Sequence, residues 1–211
     1  MTRERHPTNA RRSRTRTALL AATRGLLEER GFEALTMSAV AERAGVTRRS
    51  VYLHFASRAE LMGALFDHVA ETEGLAESLS EVWQAPDAPS ALEAWARHLA
   101  RYHTRVLAVD RAVTRVESND PDVAAHRQRA TAAKHANCRR LAEWLDAEGH
   151  LAGPWTVATA TDMICALSTS DVVEVLTVER EWSRYSFACH LGEVLRATFA
   201  GGQPPALSAG G

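Results

Sequence analysis

Apolar residues early in the chain recur at steps of three and four. Leu19, Leu26 and Leu27 lie along one side of a run from about residue 13 to 29, and Leu61, Leu65 and Val69 along one side of a run opening near 58. This is the period of a helix with a single buried stripe. Between the two runs lies TMSAVAERAGVTRRSVYLHF, residues 36–55. Its inward positions Val40, Ala41, Val46 and Val51 fit two short helices rather than one long one. Gly45 falls where the chain must reverse within a few residues, and glycine tolerates the positive φ such a turn needs. Ala41 is small enough to let the second helix approach closely. Thr36 and Thr47 each precede a helical run and are placed to cap it. Ser57 with Glu60 forms a capping box before the next run. Two short helices about a tight turn, the second with a polar exposed face, form a helix-turn-helix, the unit that lays one helix into the major groove.

The same reading divides the remainder. A fourth helix is predicted over about 58–79. Ala85-Pro86-Asp87-Ala88-Pro89 breaks it, and Ser90 caps a fifth helix carrying Leu92, Trp95, Leu99, Tyr102 and Val106. A short sixth helix covers 107–118. Asn119-Asp120-Pro121 is a second break, with proline in the first turn of a seventh helix over about 122–148 that stops at Gly149. After Gly153-Pro154 come an eighth helix, 155–178, and a ninth, 183–199. Residues 1–11 are polar and expected to be mobile. Residues 200–211, rich in glycine and proline, are expected to form a disordered tail. Ala, Leu, Arg and Glu dominate, which favours helix throughout. The expectation is an all-α chain of about nine helices: arm and helix-turn-helix over 1–57, a helical body over 58–199, then the tail.

Charge assigns the ends different partners. Residues 1–58 hold 12 Arg and 5 Asp+Glu, a net charge of +7, while residues 59–211 carry a net of −8 within a chain whose total is −1. A basic end suits phosphates and an acidic remainder does not, so contact with double-stranded DNA is expected at one end. Every cation of that end is arginine, which makes bidentate contacts to guanine and phosphate that lysine cannot. Arg48 and Arg49 open the second helix of the turn, where base edges are reached. Thr36, Thr47, Ser50, Tyr52, His54 and Arg58 surround them, with phosphate contact assigned to Thr36, Tyr52, His54 and Arg58. Arg11, Arg12 and Arg14 are expected to form an N-terminal arm that adds electrostatic grip.

ALLAATRGLLEERGFEALTMSAVAERAGVTRRSVYLHFASRAELMGALF resembles the N-terminal domain of the TetR (tetracycline-repressor-like) transcriptional regulators. The shared landmarks are Gly31-Phe32, Thr36, Val40-Ala41, Ala44-Gly45-Val46, Tyr52, Phe55, a basic residue and Leu61. A weaker resemblance, to a ligand-binding domain of such regulators, covers 159–199 through a Leu-Thr-x-Glu-Arg segment, Trp182-Ser183 and an aromatic-bearing last helix. Arg58 stands where lysine is usual, and Glu181 where glycine is common. The resemblance implies a ligand-responsive regulator, most simply a repressor, that binds a palindromic operator as a homodimer. A small molecule entering the region of the fifth to eighth helices would move the fourth and alter the spacing of the two heads.

The residues themselves bear on dimer and ligand. The eighth helix is apolar beyond one stripe, at Val157, Met163, Ile164, Ala166, Leu167, Val172, Val173, Val175 and Leu176. A helix apolar on more than one face is buried on more than one side. One side is expected to pack in its own subunit. The other, with Phe187, Leu191, Val194 and Leu195, is expected to pack on a twofold mate through the eighth and ninth helices. Trp95, His98, Tyr102, Trp144 and Met163 are candidates to line an effector cavity. No phosphate loop, nucleophile elbow or His-Glu-x-x-His pair is present, so no enzyme is expected. His98 and His103 lack the spacing of metal ligands, and Cys138, Cys165 and Cys189 are few and scattered, so neither metal nor cofactor is expected, and the thiols read as reduced and buried. No apolar run is long enough to span a membrane and no signal-peptide core opens the chain, so a cytoplasmic protein is expected. A second function class stays open on the sequence: a DNA-binding adaptor or chromosome organiser whose body binds a protein partner.

Overall fold

The computed structural model describes residues 7–114 and 121–201, and among these every regular element is helical. In chain order they are α1 (Pro7–Arg30), α2 (Met37–Arg43), α3 (Arg48–Tyr52), α4 (Arg58–Thr72), α5 (Leu75–Trp83), α6 (Ala88–His98), α7 (Thr104–Thr114), α8 (Pro121–Ala147), α9 (Val157–Leu167), α10 (Ser170–Glu174) and α11 (Arg184–Phe199). The chain forms two compact units. One runs to Thr72 and includes Ala108–Arg127; the other comprises Glu73–Leu107 and the chain from Gln128 onward.

In the first unit, Leu19, Leu20, Ala22, Leu26 and Leu27 of α1, Val40 and Ala41 of α2, Val51 of α3 and Leu61, Met62 and Leu65 of α4 are buried, with α1 packed on α2 and α4 and α2 packed on α3. Gly31, at φ 75°, ends α1 and delivers Phe32 into this core. Arg43 lies across α1 to form two hydrogen bonds with Glu29, one of 2.7 Å. It passes where a side chain on Gly25 would stand, because a Cβ there would lie 2.6 Å from Arg43 Nη2. His126 stacks on Phe66 at 3.5 Å between ring centroids.

In the second unit, α6 is buried on nearly every side: Ala88, Ala91, Leu92, Ala94, Trp95 and Ala96 all lie in the core. Small side chains on such a helix let neighbours close in, and Gly192 of α11 packs directly on Glu93 and Ala96. Cys138, Leu141 and Leu145 of α8, Ile164 of α9, Val173 of α10 and Phe187, Leu191, Leu195 and Phe199 of α11 complete the same core.

Several predicted boundaries are corrected. α1 begins at Pro7, so Arg11, Arg12 and Arg14, expected in an N-terminal arm, lie on a helix; residues 1–6 lie outside the described residues. The predicted fourth helix is two, because Gly74 adopts φ 72° and ends the run that α5 resumes. The fifth and sixth are one continuous helical run through a π-helical stretch, Leu99–His103. Its cap is Asp87 rather than Ser90: the carboxylate accepts the Ser90 N–H at 2.7 Å, and Pro89 fills the first turn. The eighth divides at Ser168, where Thr169 caps α10, and α10 passes into a second π-helical stretch, Val175–Glu179. Ala200 and Gly201, expected in the tail, are tied to the loop before α9 through Ala152 N–H to Phe199 O and Gly201 N–H to His150 O, both 2.9 Å. Residues 202–211 lie outside the described residues. Phe187, Leu191 and Leu195, expected to face a mate, are buried within their own subunit, as is Val173 of the predicted eighth helix.

Candidate nucleic-acid interface and effector region

The turn between α2 and α3 is built by local chemistry. The Thr36 hydroxyl accepts the Ala39 N–H at 3.1 Å and starts α2. Gly45 turns the chain at φ 65°, and the Val46 N–H closes back on Ala41 O at 2.9 Å. The Thr47 hydroxyl then accepts the Ser50 N–H at 3.2 Å and starts α3. With Val51 and Phe55 fully buried, the opposite side of α3 is turned to solvent. Thr47, Arg48, Arg49 and Tyr52 are exposed there, with Ser50 and His54 half-buried. Arg48 Nη2 donates to the Tyr52 hydroxyl at 3.3 Å and the guanidinium lies over that ring, so this exposed cation is oriented along the helix. Arg58 sits over the Phe32 ring at 3.9 Å, at the start of α4. The Ser57 hydroxyl accepts the Glu60 N–H, and Glu60 reaches back to the Ala56 N–H, one residue earlier than a capping box requires.

Beside α3 the structure places a group that the sequence did not single out together. Arg12, Ser13 and Arg16 of α1 and His54 line a notch of about 300 Å³. Arg16 Nη1 donates to His54 O at 3.3 Å and the guanidinium stacks over Phe55 at 4.4 Å. Burial, then Arg12 and Arg16, hold the His54 imidazole below its ordinary pKa. A notch of two guanidiniums, a hydroxyl and an imidazole has the donors of a phosphate site. The available signal was spacing: Arg12 and Arg16 stand four apart on one helix face.

In the second unit, Trp95, His98 and Tyr102 come together. His98 stacks on Tyr102 at 5.7 Å and lies 5.1 Å from Trp95. His98 Nδ1 is 2.8 Å from Ser78 Oγ, which also accepts Arg101 Nε at 3.2 Å, so the hydroxyl proton is directed to the imidazole. Burial, with the nearby charges of His103 and Arg101, pushes the His98 pKa down to about 3, and the ring is neutral. Trp95 Nε1 donates to Ser168 Oγ at 2.8 Å. Trp144 packs at the rim of the core and donates to Glu148 at 2.6 Å, whereas Met163 is 42% exposed on α9. Ser78 and Ser168 were not foreseen as partners. All three cysteines are free; Cys138 is buried, Cys165 and Cys189 half-buried. Burial and the adjoining Cys165 thiol raise the Cys138 pKa. Among the described residues no cluster of His, Cys, Asp and Glu could hold a metal ion, and no helix is long and apolar enough to cross a membrane.

Residues 19–65, which carry α2, α3 and most of their packing surface, match the family described as bacterial regulatory proteins, tetR family. The chain resembles this family over those residues. It is 41% identical over 58 residues to the HTH-type transcriptional regulator TtgR of Pseudomonas putida, a match that covers 28% of each chain. The solved structure of NalD, the secondary repressor of the MexAB-OprM multidrug efflux pump in Pseudomonas aeruginosa, is similar with a TM-score of 0.68 and 22% identity, over 90% of this chain and 98% of that one. A transcriptional regulator from Rhodococcus sp. Rha1 is similar with a TM-score of 0.66 and 18% identity, over 90% and 99%. Likeness of fold thus extends over nearly the whole chain, while the closer sequence identity covers 58 residues.

Proposed function

We propose that the protein is a homodimeric transcriptional repressor that binds palindromic operator DNA and is released by a small molecule. The observation that carries the reading is the distribution of exposed large apolar side chains among the described residues. They fall in two places only: Tyr52 and Leu53 at the end of α3, and Met163, Val175, Val178, Trp182, Tyr185 and Val194 between α9 and α11. Clustered exposed apolar groups mark interaction surfaces. The first set adjoins Arg48 and Arg49 on a helix of the size and polarity that enters a major groove. The second is the face on which a mate would pack. A single helix-turn-helix makes few contacts, and pairing two across a palindrome supplies the rest.

In this reading Arg48 and Arg49 contact bases. Thr36, Thr47, Ser50, Tyr52 and Arg58 hold the backbone, and the notch of Arg12, Ser13, Arg16 and His54 takes a phosphate. The effector belongs to the second unit and releases DNA only through different affinities for two conformations. The test is site selection from random duplexes followed by titration of Arg49→Ala. The expected outcome is a palindromic consensus and a loss of about 1–3 kcal/mol that relaxes one position in each half-site. A uniform loss over all sequences would remove Arg49 from the bases, and failure to select any palindrome would overturn the dimeric operator.

A further inference from the structure

We infer that a cleft between α5, the end of the α6 helical run and the start of α11 binds a small organic monoanion, a carboxylate on a compact apolar body, as the effector of the repressor proposed above. The inference rests on that reading for its biological role, and on the cleft alone for its chemistry. The cleft holds about 250 Å³ and is lined by Glu81, Arg97, Ala100, Arg101, Arg184 and Tyr185. Three guanidiniums face one carboxylate, within a part of the chain, residues 59–211, whose net charge is −8. A locally cationic concavity in an acidic body attracts anions selectively.

Arg101 is the fixed element. Its Nη1 donates to Glu81 at 2.6 Å and its Nε to Ser78 at 3.2 Å, so the planar group is held in one orientation. Its Nη2 is buried and has no hydrogen-bond partner among the described residues. A buried, unpaired guanidinium N–H is costly, and an anionic acceptor would relieve that cost. Arg97 and Arg184 are exposed at the rim, where they can close over a ligand. The Tyr185 ring and the methyls of Ala100 and Ala188 supply apolar wall.

Two features narrow the ligand. Small-molecule pockets usually run from about 300 to 1,000 Å³, so this cleft suits a compact molecule. Glu81 stands in the wall and repels a second negative charge, which favours a carboxylate over a dianionic phosphate. The site also has a route to the interior. A carboxylate on Arg101 competes with Ser78 for the guanidinium, and Ser78 is the group bonded to His98.

The test uses the full chain without DNA, so its failure and the failure of operator binding are read separately. Benzoate is titrated by calorimetry and by thermal melting, beside the neutral isostere benzamide and beside sulfate. Benzoate should bind with a Kd of about 1 mM or tighter, and both controls at least about tenfold more weakly. The double variant Arg97→Gln/Arg184→Gln changes only exposed side chains. It should keep the helical signal and the melting temperature, and lose about tenfold in benzoate affinity for each arginine. Absence of benzoate binding, equal binding of benzamide, sulfate binding as tight as benzoate, or a double variant with unchanged affinity would each overturn the inference.

Discussion

Val194 and Leu195 are neighbours on α11 with opposite surroundings: 48% of Val194 is exposed and none of Leu195. An aspartate at 194 meets water in an isolated subunit, where a surface change costs within about 0.5 kcal/mol. In a dimer packed on this face it removes the burial of half a valine, about 1 kcal/mol per subunit at 1.5–3 kcal/mol for a whole side chain. It also drives a carboxylate toward a dry interface at a further few kcal/mol. The twofold axis counts each loss twice, so the dimer should weaken by about 4–8 kcal/mol, a factor of roughly 10³ to 10⁶. Leu195→Asp instead buries an unpaired charge in the subunit core and should unfold the second unit. Val173→Asp and Leu191→Asp belong with it, because both positions are buried within the subunit. Sedimentation velocity paired with circular dichroism distinguishes the cases. The expected result is a helical monomer for Val194→Asp and loss of helix for Leu195→Asp. A helical Val194→Asp variant that still sediments as a dimer at low concentration refutes the interface at this position.

Three further outcomes follow from the geometry. Glu181 holds φ at 55°, in the left-handed region; Glu181→Gly should raise stability by about 0.5–1 kcal/mol in urea unfolding, and a loss would mean the side chain matters more than the backbone. His98 has a folded pKa of about 3 against an ordinary 6.5, so the unfolded chain binds more protons between those values. Stability is therefore full above about pH 6.5 and falls on acidification by up to about 1.4 kcal/mol per unit, a slope that His98→Gln should flatten. The His54 pKa is lowered in the free protein, and a phosphate in the notch would raise it, so operator affinity should strengthen as pH falls through the bound-state value. His54→Gln should remove that dependence, and Arg12→Gln should reduce the slope of log affinity against log salt by about 1.

How far the sequence foretold these features depends on the distance over which each is determined. Thr36, Gly45 and Thr47 act within four residues of themselves, and the helix-turn-helix they build follows the reading of residues 36–55. Glu181 is a departure: it stands where glycine is common, and the backbone nonetheless keeps the left-handed conformation that glycine favours. The division at Ser168 is of another kind. The hydroxyl bonds Trp95, 73 positions away, so no local pattern could announce it. Gly74 is local, but one glycine inside a helical period is often tolerated, and only its positive φ distinguishes a break from an interior position. The apolar surface of the last helices was legible as an amount and not as an allocation. Periodicity places Val194 and Leu195 about 100° apart, and which of them meets the core depends on where α6 lies. The alanines of α6 and Gly192 of α11 set that approach, and they bury Leu195 in the subunit and leave Val194 half exposed. A stripe wider than one interface therefore predicts that a second surface exists, while its assignment to residues waits on the packing of the first.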